Sequence, residues 1–149
     1  MMAQDSIQMH GSAVAYDGIG VLIIGASGSG KSSLAAGLIA LGADLVADDQ
    51  VCLKREDGKL TASAPETLAG LCEHRGIGVL KLPYAAEAEV RLVVDLDVVE
   101  VKRLPDKSYL TILDIKLPQI NAKELKNRTA AVKLCLLAIQ FSGSSEWRV

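Results

Sequence analysis

A chain of 149 residues, half of them hydrophobic, with a formal net charge of −2 suits one compact domain spanning 1–149 and is short for two separate cores. Basic and acidic residues are interspersed and only 3 % of the residues are aromatic, which argues against nucleic-acid binding through phosphate neutralisation or base stacking. There is no run of about 18 apolar residues of the kind a membrane span needs, and the N-terminus, with Asp5 and His10, lacks the basic-then-apolar pattern of a secretory signal, so the expected compartment is the cytoplasm.

The segment from Gly20 to Ile24 is a β-branched apolar run closed by Gly25, the pattern of a buried strand entering a tight loop. Leu34, Leu38 and Leu41 then recur at helical spacing, and Gly42 stands where a C-cap glycine belongs, predicting a helix over Ser33 to Leu41. A second buried strand, Leu45 to Ala47, ends at the acidic pair Asp48-Asp49. Val51 to Lys54 and Leu60 to Ala62 flank the turn signal Glu56-Asp57-Gly58-Lys59 and predict an antiparallel meander. Further strands are expected at Val79 to Leu82 and Val90 to Leu96, with a late hairpin from Tyr109 to Ile112 and Ile115 to Leu117, stopping before Pro118. Asn121 and Glu124 have capping-box spacing ahead of a final helix over Ala130 to Phe141. That helix is apolar on more than one face, which suits packing against another subunit. Residues 142–149 read as a polar tail containing Trp147. Cys52, Cys72 and Cys135 are far apart and unpaired in pattern, and read as small apolar packing residues.

Gly25-Ala26-Ser27-Gly28-Ser29-Gly30-Lys31-Ser32 satisfies G-x-x-x-x-G-K-[ST] between a predicted strand and a predicted helix. In that context the glycines turn backbone N–H groups toward phosphate oxygens, the helix start adds a positive dipole, and Lys31 neutralises the outer phosphates of ATP. Ser32 offers its hydroxyl to Mg²⁺. A phosphoryl-transfer site also needs a carboxylate to hold metal or orient a nucleophile, and Asp48-Asp49 closes the next strand, with Asp48 assigned to the nucleotide–metal site.

His10-Gly11, this P-loop, Val46-Ala47-Asp48-Asp49, Ser63-Ala64-Pro65-Glu66 and Glu73-His74-Arg75-Gly76-Ile77-Gly78 occur in an order and near-spacing that resembles the catalytic domain of HPr kinase/phosphorylase, from about His10 to Glu100. The resemblance implies an α/β fold of the HPr kinase/PEP carboxykinase type: a P-loop core, a mixed sheet with an antiparallel meander and a C-terminal helix. It implies that Asp49 takes the proton from a target serine and returns it during dephosphorylation, that Glu73 joins Ser32 as a Mg²⁺ ligand, and that His10 supports Asp49. Arg103, before Leu104, corresponds to a family catalytic arginine, without the aspartate that precedes it there. The implied partner is HPr or an HPr-like phosphocarrier, in regulation of phosphotransferase-system carbohydrate metabolism, and the implied assembly is a homohexamer.

The family's late P-V-x-P-G-R-N loop, associated with dephosphorylation, is expected near Leu117 to Glu124, where its arginine and glycine are missing, so phosphorylase activity should be weak or altered. Two other readings use the same P-loop: a nucleotide-sensing module without transferase activity, and a small-molecule kinase.

Overall fold

The computed structural model describes residues 5–144 and 146–149; residues 1–4, part of the N-terminal reading above, and Ser145 of the tail lie outside them. Eleven strands and two helices follow in the order β1 (Ser6–His10), β2 (Ser12–Tyr16), β3 (Ile19–Ile24), α1 (Lys31–Ala40), β4 (Asp44–Ala47), β5 (Gln50–Glu56), β6 (Lys59–Ser63), β7 (Leu71–His74), β8 (Gly78–Lys81), β9 (Ala88–Val99), β10 (Ser108–Ile112), β11 (Ile115–Lys123) and α2 (Arg128–Ser142), with a short 3₁₀ turn at Glu66–Leu68. All the predicted elements are present; β1 and β2 precede the first one expected, and β7 forms at Leu71–His74 where no strand was expected.

The twelve-residue β9 organises the main sheet. One of its edges pairs in parallel with β3. The other meets β6 at Ala88 and Glu89 and then β11 from Val93 onward, also in parallel. The full path runs β1-β5-β6-β9-β3-β2-β4, and β7–β8 form a separate ribbon. Backbones of β3 and β9 lie so close at Gly20 that a Cβ there would stand 2.4 Å from the Glu89 carbonyl oxygen, so only glycine fits.

Alternation along the central strands sends side chains to two cores. Val21 and Ile23 join Leu34, Leu38, Leu92, Val94, Val132 and Leu136 under the helices. Leu22 faces the other way, with Val51, Leu53, Leu60, Val93 and Leu117, where the meander curls over the sheet. The hairpins at Asp17-Gly18, Asp57-Gly58 and Leu113-Asp114 all place both turn residues at positive φ, the primed turn that matches strand twist.

Three local expectations are corrected. Strand β11 runs through Pro118 to Lys123 rather than stopping before the proline; its pairing with β9 begins only at the next residue, Gln119. Asn121 and Glu124 do not cap the last helix, because Asn121 is drawn into the sheet opposite Asp95. The helix starts after Asn127, at φ 53 and with no side-chain cap. Helix α2 buries Val132, Leu136 and Ile139, and leaves Leu134 and Phe141 65 % and 95 % exposed, which gives it the second apolar face expected. The tail beyond it folds back: Trp147 packs against the helix-side core, and the Arg148 guanidinium donates to the Ser108 and Gln119 carbonyls.

Candidate active site

Strands β3 and β4 both run antiparallel to β2, which lies between them. The ends of β3 and β4 therefore meet the start of β2 on one edge of the sheet, and the P-loop, Asp48 and Ser12 converge there. Pairing of His10 with Gln50 brings the end of β1 to the same edge, and β7 and the turn after it add Glu73, His74 and Arg75 from the side. The resulting cleft has a volume of about 550 Å³ and is lined by residues from all of these elements, including Ser27, Gly28, Gly30, Lys31 and Ser32.

In the P-loop, Gly30 caps α1 at φ 103, a conformation that favours glycine. Lys31 is 6 % exposed, and its ammonium donates to the carbonyls of Gly25 and Ala26 at 2.9 and 2.8 Å. It thus lies across the loop, held by neutral acceptors that a phosphate would outcompete. On the outer side, both oxygens of Asp97 accept from the Ala26 N–H at 2.9–3.0 Å, tying the loop to the end of β9.

The adjacent carboxylates are turned to different tasks. Asp48 is 9 % exposed. Its Oδ1 accepts from Ser32 Oγ at 2.8 Å and Ser12 Oγ at 3.1 Å, and its Oδ2 from the Glu73 N–H at 3.2 Å. The Cys72 thiol beside it is pushed up to about 11, by burial first and by Asp48 second, so it stays protonated at neutral pH. Asp49 has a side chain 69 % exposed toward solvent, with His10 Nδ1 3.2 Å from its Oδ1 and 2.9 Å from its own carbonyl oxygen. Both of those atoms are acceptors, so Nδ1 carries the proton. Asp49 also sits at φ 72, beneath a Gln50 N–H to Asp48 carbonyl bond of 2.9 Å. That is a γ-turn with positive central φ, a rare and strained form, and it is the device that points two neighbouring carboxylates apart.

The donor set near Ser32, Asp48 and Glu73 is hydroxyl and carboxylate oxygen, the hard ligands that Mg²⁺ takes together with water and phosphate oxygens. Among the described residues no group of three or more His, Cys, Asp or Glu side chains is arranged to hold an ion; a cation bridging protein and phosphates does not require one.

Arg103 is exposed in the β9–β10 connection and is not among the residues lining the cleft. The arginine found at the P-loop is Arg128, which sequence reasoning missed. A Cβ on Gly30 would stand 2.9 Å from its Nη2, and with Lys123, Glu124 and Asp97 it lines a second cavity of about 380 Å³ behind the loop. The sequence signal was Asn127-Arg128, since an asparagine tolerates the left-handed conformation that Asn127 adopts at φ 53 just ahead of α2.

The family model described as HPr Serine kinase C-terminal domain matches residues 2–142. The chain belongs to this family. It is 37 % identical over 150 residues to the HPr kinase/phosphorylase of Geobacillus thermodenitrificans, covering 89 % of this chain and 47 % of that protein. It is 34 % identical over 146 residues to the HPr kinase/phosphorylase of Clostridium beijerinckii, covering 90 % and 48 %. The chain therefore spans about half the length of these curated relatives, which fits a C-terminal-domain match. Among solved structures, the Hpr(Ser) kinase/phosphatase from Coxiella burnetii matches with a TM-score of 0.76 and 28 % identity, covering 91 % of this chain and 97 % of that one. The mixed sheet with its C-terminal helix is thus the fold of this family. No helix among the described residues is long and apolar enough to cross a membrane.

Proposed function

We propose that this domain is an ATP- and Mg²⁺-dependent kinase that phosphorylates a serine of HPr or an HPr-like phosphocarrier in the cytoplasm, regulating phosphotransferase-system carbohydrate metabolism. The observation that carries the reading is the split between the two aspartates: one is tied to the P-loop serine, and the other is exposed beside a histidine at the cleft mouth.

In this reading ATP lies along the P-loop with its outer phosphates at Lys31, and a Mg²⁺ ion, when bound, would supply further charge neutralisation there. Ser32, Asp48 and Glu73 would hold the cation. Asp49 takes the proton of the incoming serine hydroxyl, and His10 supports Asp49 by holding its orientation. Positioning and charge neutralisation supply most of the acceleration in phosphoryl transfer. Arg128, rather than Arg103, is the arginine we assign to the phosphates. In the reverse direction inorganic phosphate attacks phosphoserine-HPr and yields pyrophosphate with Asp49 as acid; because the segment from Leu117 to Glu124 departs from the family pattern, we expect this reaction to be weak. The exposed stripe of α2 is the face we assign to a homo-oligomer, a hexamer by family resemblance.

Purified protein incubated with γ-labelled ATP, Mg²⁺ and HPr-class proteins should label a serine, with no label in Lys31→Ala. ATP binding without transfer would instead favour a nucleotide-sensing module, and transfer to sugars or other small alcohols a small-molecule kinase.

A further inference from the structure

Ser12 is fully buried at the first position of β2, between the strand that ends in the P-loop and the strand that ends in Asp48. Its hydroxyl donates to Asp48 Oδ1, the oxygen that also accepts from Ser32. The two hydroxyls have different obligations. Ser32 leads α1 and must turn a lone pair toward a cation bound at the phosphates, so the direction of its O–H is shared between two tasks. Ser12 Oγ is hydrogen-bonded to Asp48, and its backbone is fixed by pairing with Ile23 on one side of the strand, with Ala13 paired to Ala47 on the other. A donor mounted on a central strand holds a side chain more precisely than one on a loop.

We propose that Ser12 is a positioning residue for the metal–nucleotide site: it fixes the Asp48 carboxylate in the rotamer that aligns Ser32 before the cation arrives. The Glu73 N–H holds the second oxygen of Asp48, so together the two donors leave the carboxylate one orientation. Without the Ser12 hydroxyl, Oδ1 keeps the Ser32 hydroxyl, whose direction the cation also claims, and the carboxylate must be ordered at the expense of cation binding. A hydrogen bond to a charged group contributes about 1.5–3 kcal/mol, which corresponds to roughly ten- to hundredfold in an equilibrium constant.

The inference rests on the ATP–Mg²⁺ reading of the cleft, and calorimetric titration of ATP in Mg²⁺ and in EDTA separates the two. For wild type, Mg²⁺ should tighten ATP binding. Ser12→Ala should weaken binding in Mg²⁺ by about tenfold and in EDTA by no more than about twofold. Because Thr and Val have the same shape and differ by the hydroxyl, Ser12→Thr should keep most of the Mg²⁺-dependent gain and Ser12→Val should lose it. That pair reports even if the alanine variant melts too low to use. A wild-type gain that Ser12→Ala or Ser12→Val retains overturns the role of Ser12 and leaves the cleft reading intact. Threonine behaving like valine overturns it too, since packing rather than the hydroxyl would then be responsible. A wild-type protein that gains nothing from Mg²⁺ removes the cleft reading and Ser12's role with it.

Discussion

The P-loop edge and the β10–β11 end of the sheet both gather charge, yet they satisfy it differently. At the P-loop edge Lys31 is buried and donates to two carbonyl oxygens, and Asp49 stands exposed in a strained turn. At the other end Arg148 is held by the Glu146 carboxylate at 3.0 Å and lies over the Tyr109 and Trp147 rings, while the Tyr109 hydroxyl donates to Glu146 at 2.6 Å. The tail cluster is closed: each charge has a partner of opposite sign. The cleft is open: among the described residues its cation has no carboxylate partner, and its outer carboxylate has one histidine. The difference marks one region as a place to bind something and the other as a fastening.

Removing charge should therefore abolish function at the first region and cost only stability at the second. The largest effect is expected for Lys31→Ala, with no label transfer above background and ATP affinity lowered on the order of 10²-fold, read by calorimetry. Next, Arg128→Ala should slow transfer by about tenfold while Arg103→Ala changes it by less than about twofold, because only the former guanidinium reaches the P-loop; equal losses in steady-state assays would restore Arg103 to the site. The smallest effect belongs to the tail. Hydrogen bonds from Arg148 first, and Tyr109 second, hold the Glu146 carboxyl down to about 2 from its ordinary 4.5. Its folded value is depressed, so its contribution is fully present above pH 4.5 and is lost as pH falls toward 2. Glu146→Gln should lower Tm by about 2–4 °C at pH 7, with the gap narrowing below pH 4.5, and leave transfer unchanged.

The core of the fold was legible because its signals are local. The run into Gly25, the leucine spacing of α1 with Gly42 after it, and Asp57-Gly58 each name their element. Strands β1 and β2 were missed for separate reasons. Ser6–His10 is a short edge strand with alternating exposure, and Ser-Ala-Val-Ala-Tyr is weak in β-propensity; yet Asp17-Gly18 was a hairpin signal as strong as the one at Asp57-Gly58. Leu113-Asp114 adopts the same turn without a glycine, and nothing in those two residues announces it. Pro118 and the Asn121–Glu124 spacing misled because pairing with β9, a contact distant in sequence, overrode the local preference. In the site, the P-loop and Asp48-Asp49 stood out as motifs. Ser12 and Arg128 did not, since a serine beginning a strand and an arginine beginning a helix acquire meaning only from the neighbours that the sheet order and the packing of α2 give them.

In the proposed mechanism Asp49 accepts the serine proton while Asp48 serves the metal–nucleotide site. The most direct test is single-turnover transfer from ATP to HPr by Asp49→Asn, with ATP affinity measured on the same preparation. ATP affinity should stay within about threefold of wild type while transfer falls on the order of 10²–10⁴-fold; transfer at the wild-type rate, or a loss explained by failure to bind ATP, would overturn the role of Asp49.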